Sequence, residues 1–96
     1  MHWAKQLLEL FGENGEHWTQ NSYAKTYDGH ICSYDSPEAV CWCLLGAMNK
    51  LFPIDSGYDD ILLNRILKRN YGGIVGFNDN STFTEVKEVL TELAAE

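Results

Sequence analysis

Ten consecutive positions, Ala39 to Met48, read Ala-Val-Cys-Trp-Cys-Leu-Leu-Gly-Ala-Met, with no charged or amide side chain among them. Just before them stands Ser36-Pro37-Glu38. Ser36 can accept hydrogen bonds from free amides of a first helical turn, Pro37 suits the first helical position, and Glu38 complements the positive helix end. The pattern predicts a helix over about 37–52, buried on nearly all sides and closed by Pro53. Val40, Cys43, Leu44, Ala47, Met48 and Leu51 form its stripe, with Trp42 and Leu45 adding bulk elsewhere. A glycine costs roughly 1 kcal/mol against alanine in a helix interior, so Gly46 predicts that another element crosses closely there.

Other segments carry clearer periodicity. Ala4, Leu7, Leu8 and Phe11 fall at i, i+3, i+4 and i+7, predicting a helix over 3–11 ended by Gly12. Asp28-Gly29 between two short β-prone runs predicts a two-residue hairpin near 24–33. Asp59 or Asp60 can cap a third helix bearing Ile61, Leu62, Leu63, Ile66 and Leu67, ended by Gly72-Gly73. Ile74-Val75-Gly76-Phe77 reads as a brief strand leading into an Asn78-Asp79-Asn80 turn. Thr82-Phe83-Thr84-Glu85 matches a capping box, and Val86, Val89, Leu90 and Leu93 give the stripe of a fourth helix. The expected fold is a single, mainly α domain of α+β class over 1–96, about four helices packed around the buried central one, with a small hairpin.

Composition narrows the function classes. Hydrophobic residues make up 45% of the 96, so one core can form without metal or disulfide staples. Fourteen acids against seven bases give a formal charge of −7, the reverse of what a phosphate-binding surface needs. Direct nucleic-acid binding is disfavoured, and a protein with a basic surface is the natural partner. The start, Met1-His2-Trp3-Ala4-Lys5, lacks a signal-peptide pattern, and the apolar run is about half a membrane span, so the expected compartment is the cytoplasm. An apolar face on the first or fourth helix can support a homo-oligomer, or be buried in the chain's own core.

Candidate chemistry is sparse. His30-x-Cys32 and Cys41-x-Cys43 offer four ligand types, but a helix would point Cys41 and Cys43 about 200° apart, so no metal is expected. Cys41 near a helix start, with His30 and Asn78 or Asp79, would compose a nucleophilic set; a buried structural cysteine is the plainer reading. Asn78 and Asp79 can bond turn amides, which is a structural role. Glu85, Glu88 and Glu92, extended by Glu96, make an acidic stripe that is either solvated or a docking face. Tyr23, Tyr27 and Tyr34 lie on or beside the hairpin, where exposed aromatics can anchor a partner. Arg65, Lys68 and Arg69 form a basic cluster on the third helix.

Taken together, Trp18, Gly29, the segment Ala39 to Ala47, Phe77-Asn78-Asp79 and Thr84-Glu85-Val86 resemble a family of small bacterial and bacteriophage proteins of unknown function. In that family a Trp-Cys-x-x-Gly-Ala helix is followed by an aromatic-Asn-Asp turn, present here as Trp42 to Ala47 and Phe77 to Asp79. The resemblance implies a bacterial or phage origin and assigns no reaction. With the acidic charge, it leads to the expectation of a non-enzymatic, phage- or prophage-associated interaction protein. Such a protein would occupy a basic nucleic-acid-binding surface of a host defence complex, as an anti-CRISPR-like inhibitor does, without a cofactor. Its contacts would be Glu85, Glu88, Glu92, Tyr23 and Tyr27. The alternative is a small enzyme or ligand-binding domain with a pocket near His30, Cys43, Asn78 and Asp79.

Overall fold

A computed structural model describes residues 2–69 and 71–96, with Ile54 described in its backbone only. Helix α1 (Trp3–Phe11) occupies the span its periodicity predicts and ends at Gly12, whose φ of 86° a side chain would strain. Its apolar face packs chiefly on α5 (Phe83–Ala94). There Thr82 and Glu85 form the predicted capping box, and Val86, Val89, Leu90 and Leu93 are buried. The chain is of α+β class: five α-helices and a three-stranded antiparallel sheet among the described residues.

The central apolar run divides between two elements. Ala39–Trp42 is strand β3, and α2 begins only at Leu44, running to Leu51. The expected helix over 37–52 is therefore corrected over nearly its first half, up to Cys43. Ser36 caps a turn instead, its carbonyl accepting from the Ala39 amide at 3.1 Å and its hydroxyl from the Glu38 amide at 3.2 Å. A continuous apolar run has no period to distinguish a strand from a helix, and β1 (Ala24–Thr26) supplies the ladder that decides it. Cys43 is the actual cap of α2, its Sγ accepting from the Gly46 amide at 3.3 Å. The Trp-Cys-x-x-Gly-Ala segment is thus a strand-to-helix junction.

The sheet order is β2-β1-β3, with β2 at Ile31–Cys32. The hairpin stands where expected, but its loop holds three residues, Tyr27-Asp28-Gly29. Thr26 donates to the His30 carbonyl at 2.9 Å, and Gly29, with φ 84°, completes a bulged turn. Ala24 lies opposite both Cys32 and Trp42 on the inner face, while Lys25 lies opposite Ile31 and Cys41 on the outer face.

The remaining helices close the core. A 3-10 turn at Ile54–Ser56 and Gly57 lead into α3 (Tyr58–Leu67), with Asp59 and Asp60 in its first turn and not at its cap. Trp3 stacks on Tyr58, joining α1 to that start. The Ile74 to Phe77 piece, expected as a strand, is the beginning of α4 (Ile74–Asp79). Six residues are too few for a helical stripe to be read, and among the described residues no strand pairs with it to supply a ladder. Leu7, Phe11, Leu44, Met48, Leu62 and Phe77 meet at the centre.

Candidate functional site

Asn78, in the last turn of α4, is fully buried at 0% exposure, and its amide joins three parts of the chain. Its Oδ1 accepts from the Trp18 indole at 2.7 Å and from the Leu44 amide, the first of α2, at 2.9 Å. Its Nδ2 donates to the Thr19 carbonyl at 3.1 Å and to Asp79 Oδ1 at 3.0 Å. Asp79 Oδ1 also accepts from the Asn21 amide at 2.9 Å. Gln20 closes the same loop onto the Asn78 and Ser81 carbonyls. The segments Trp42 to Leu44 and Phe77 to Asp79 therefore meet, with Asn78 satisfying the strand-to-helix junction at Leu44.

Beside this junction lies a cavity of about 210 Å³ lined by Asn21, Ser22, Tyr23, Cys43, Val75 and Asp79. Cys43 and Asp79 of the expected pocket thus come together, with Asn78 behind them. His30 does not, since it stands exposed beyond the hairpin loop. Asn21 has φ 67°, a left-handed conformation that asparagine tolerates better than most residues. Ser22 Oγ is buried and has no hydrogen-bond partner among the described residues.

Cys43, and not Cys41, occupies the helix start. Burial pushes its thiol above the ordinary value of 9.0, the Asp79 charge adds in the same direction, and the Gly46 and Leu45 amides offset part of this. A neutral, buried thiol is a poor nucleophile. At neutral pH Cys43 should alkylate at least about ten-fold more slowly than the partly exposed Cys32 and Cys41, as followed by mass spectrometry of iodoacetamide-treated protein. Its raised folded value also sets a sign. Cys43's stabilising contribution is complete below the unfolded thiol value of 9.0 and is lost as pH climbs from there through the raised value. Cys41 points elsewhere, its thiol 3.8 Å from the Lys25 carbonyl. Among the described residues, no three His, Cys, Asp or Glu side chains are arranged to hold a metal ion.

The acidic stripe is largely engaged within the chain. Glu85 is held in the capping box. Glu92 pairs with Arg65 at 3.3 Å and Arg69 at 2.9 Å, and Glu96 pairs with Arg65. Arg65 and Arg69 of the basic cluster and Glu92 and Glu96 of the acidic stripe thus neutralise one another. Glu88 is left facing a shallow groove with Thr84, Lys87 and Thr91.

The hairpin aromatics behave differently. Tyr27 is 90% exposed and Tyr23 50%, and Ile31, which sequence reasoning passed over, is 73% exposed on the outer face. The available signal was register: once β1 pairs with β2, Ile31 must stand opposite Lys25 and away from Ala24. Tyr34 is half-buried, its carbonyl accepting from the Trp42 indole at 2.9 Å. Among the described residues no helix is long and apolar enough to cross a membrane. No family model matches the chain, and no curated protein or solved structure is detectably similar to it.

Proposed function

We propose that this chain is a non-enzymatic interaction domain that docks on a basic surface of a larger protein assembly through the outer face of its sheet. The observation that carries the reading is the exposure of Ile31 on β2, Tyr27 in the hairpin loop and Tyr23 just before β1, in a chain of net charge −7. Exposed aromatic and aliphatic side chains of this kind act as anchors when a partner excludes water from them. Asp28 in the hairpin loop, with Asp35 and Glu38 on the approach to β3, adds exposed acids that favour a basic partner. Glu88 is the member of the α5 stripe free to join them; Glu85 and Glu92 would contribute only by exchanging their internal partners.

The finer reading is an inhibitor of phage or prophage origin that covers a nucleic-acid-binding surface, as an anti-CRISPR-like protein does. It rests on the resemblance carried by Trp42 to Ala47 and Phe77 to Asp79, and on an acidic surface able to compete with phosphate for the same lysines and arginines. A second reading, a ligand-binding domain or small enzyme, draws support from the cavity at Cys43 and Asp79. The buried neutral thiol and the distant His30 leave that cavity better suited to binding than to nucleophilic catalysis.

Truncating the sheet face tests the docking reading. Tyr27→Ala/Ile31→Ala should leave the thermal midpoint within a few degrees of the parent, because both side chains already face water. Salt-sensitive capture of a bacterial protein complex should fall by about thirty-fold or more, the scale of one lost anchor residue. Undiminished capture by the double variant would contradict the reading. A concentration-dependent dimer that the same variant abolishes would reassign the face to a second copy of the chain.

A further inference from the structure

Tyr23, half exposed just before β1, also lines the cavity that ends at Asp79. Opposite it on the rim is Val75, an exposed apolar side chain of α4. The other lining residues are Asn21, Ser22, Cys43 and Asp79, and the lining as a whole is mainly apolar. Asp79 uses Oδ1 for its bonds from Asn21 and Asn78, and no described residue donates to its Oδ2. Ser22 contributes the buried hydroxyl that lacks a partner. A buried polar atom left without a partner is unfavourable, so a ligand able to satisfy it gains affinity.

The sign of the ligand's charge follows from what is already occupied. The start of α2 would ordinarily attract an anion, but its Leu44 amide is taken by Asn78 Oδ1 and its Gly46 amide by Cys43 Sγ. Asp79 would repel an anion. A wider groove adjoins through Val75 and carries Asp59 and Asp60, and neither lining includes a lysine or arginine. Asp59's carboxyl is raised by burial and then by the charge of Asp60.

We infer that this cavity takes the cationic tip of a lysine or arginine side chain of the docked partner. The ammonium or guanidinium group meets Asp79 Oδ2 and Ser22 Oγ, and its aliphatic stem lies between Tyr23 and Val75. Tyr23 adds a ring face that favours a cation. The inference rests on the basic-partner reading, which it sharpens by fixing where one basic residue inserts.

Nuclear magnetic resonance titration of the full chain tests it with three probes: Nα-acetyl-lysinamide, Nα-acetyl-argininamide and the neutral Nα-acetyl-norleucinamide. At least one cationic probe should shift the amide resonances of Asn21, Ser22 and Val75 and bind about ten-fold or more tightly than the norleucine probe. Asp79→Asn keeps an Oδ1 acceptor for the Asn21 amide and removes the charge, so it should weaken the cationic probe by a similar factor. Equal binding of cationic and neutral probes to the parent chain would overturn the inference, whether or not the variant folds. So would full retention of cation binding by folded Asp79→Asn. The free probes do not need the sheet face, so Tyr27→Ala/Ile31→Ala should bind them normally. Probe binding with no partner capture would leave the cavity assignment standing and remove the docking reading. Capture that depends on Tyr27 and Ile31, with no cation selectivity at the cavity, would do the reverse.

Discussion

Asn78→Ala should destabilise the fold by about 3–5 kcal/mol, the range in which a buried polar network loses its hub. The substitution leaves the Leu44 amide, the Trp18 indole and the Thr19 carbonyl without their partner, all at a side chain that is fully buried. Each abandoned group carries a desolvation penalty of about 1–3 kcal/mol, and water entering from the neighbouring cavity recovers part of the total. The effect is not local. Asn78 fixes where the loop of Trp18 to Asn21 lies against the start of α2, and that loop carries Ser22 and Tyr23 to the cavity rim. Urea unfolding followed by circular dichroism measures the loss; a change below about 1 kcal/mol would show that the amide is a bystander.

Gly46→Ala should also destabilise, by about 2–4 kcal/mol, reversing the sign that helix propensity alone gives. In an unobstructed helix interior the same change stabilises by about 1 kcal/mol. Here a Cβ would overlap the Tyr23 carbonyl oxygen, with the Tyr23 carbonyl carbon at 3.0 Å and Cα at 3.2 Å. Those are backbone atoms that cannot rotate away, and the Tyr23 carbonyl is also the acceptor for the Cys43 amide. Relief requires α2 to separate from the chain entering β1, which distorts the cavity wall as well as the core. Gly76 in α4 is the control: an added Cβ there meets nothing within 4 Å, so Gly76→Ala should be neutral or stabilising when the two variants are compared by thermal melts. Equal effects at the two positions would remove the close-approach account of Gly46.

Gly46 also shows what the sequence makes legible. A glycine in an otherwise strong helical stripe implied a crossing element, and the structure identifies it as the backbone of Tyr23. Helices α1 and α5 were legible because their apolar positions recur with the helical period and their ends carry chemical signals, Gly12 and the Thr82 capping box. Ala39 to Trp42 was not, because its strand identity depends on pairing with residues about fifteen positions earlier, and Ser36-Pro37-Glu38 serves equally as a turn or a helix start. Asn78 and Asp79 were expected to bond the amides of their own turn. Their polar bonding was foreseen in kind, but the partners at Trp18 and Leu44 are 60 and 34 residues away, a separation no local pattern encodes.

The candidate site follows the same division. That the hairpin tyrosines stand exposed was open in the sequence, and the sheet's register places Ile31 on the outer face opposite Lys25. The pairing of Glu92 and Glu96 with Arg65 and Arg69 was hidden, because α3 and α5 each read separately as a charged, solvated face. That mutual neutralisation is why the proposed docking surface is placed on the sheet and hairpin rather than on α5. Surface ion pairs of this kind add little stability, about 0–1 kcal/mol each, but they change which charges a partner meets.

The docking claim is tested most directly by quantitative capture from bacterial lysate at low and high salt, comparing the parent chain with Tyr27→Ala/Ile31→Ala and with Glu88→Lys/Glu92→Lys. The account predicts that a basic protein complex is captured by the parent at low salt, released at high salt, and lost by about thirty-fold or more with the sheet-face variant. The helix variant, which alters charges outside the anchor, should cost no more than about ten-fold. Loss of capture with the helix variant alone, while the sheet-face variant binds as the parent does, would contradict it and return the docking surface to α5.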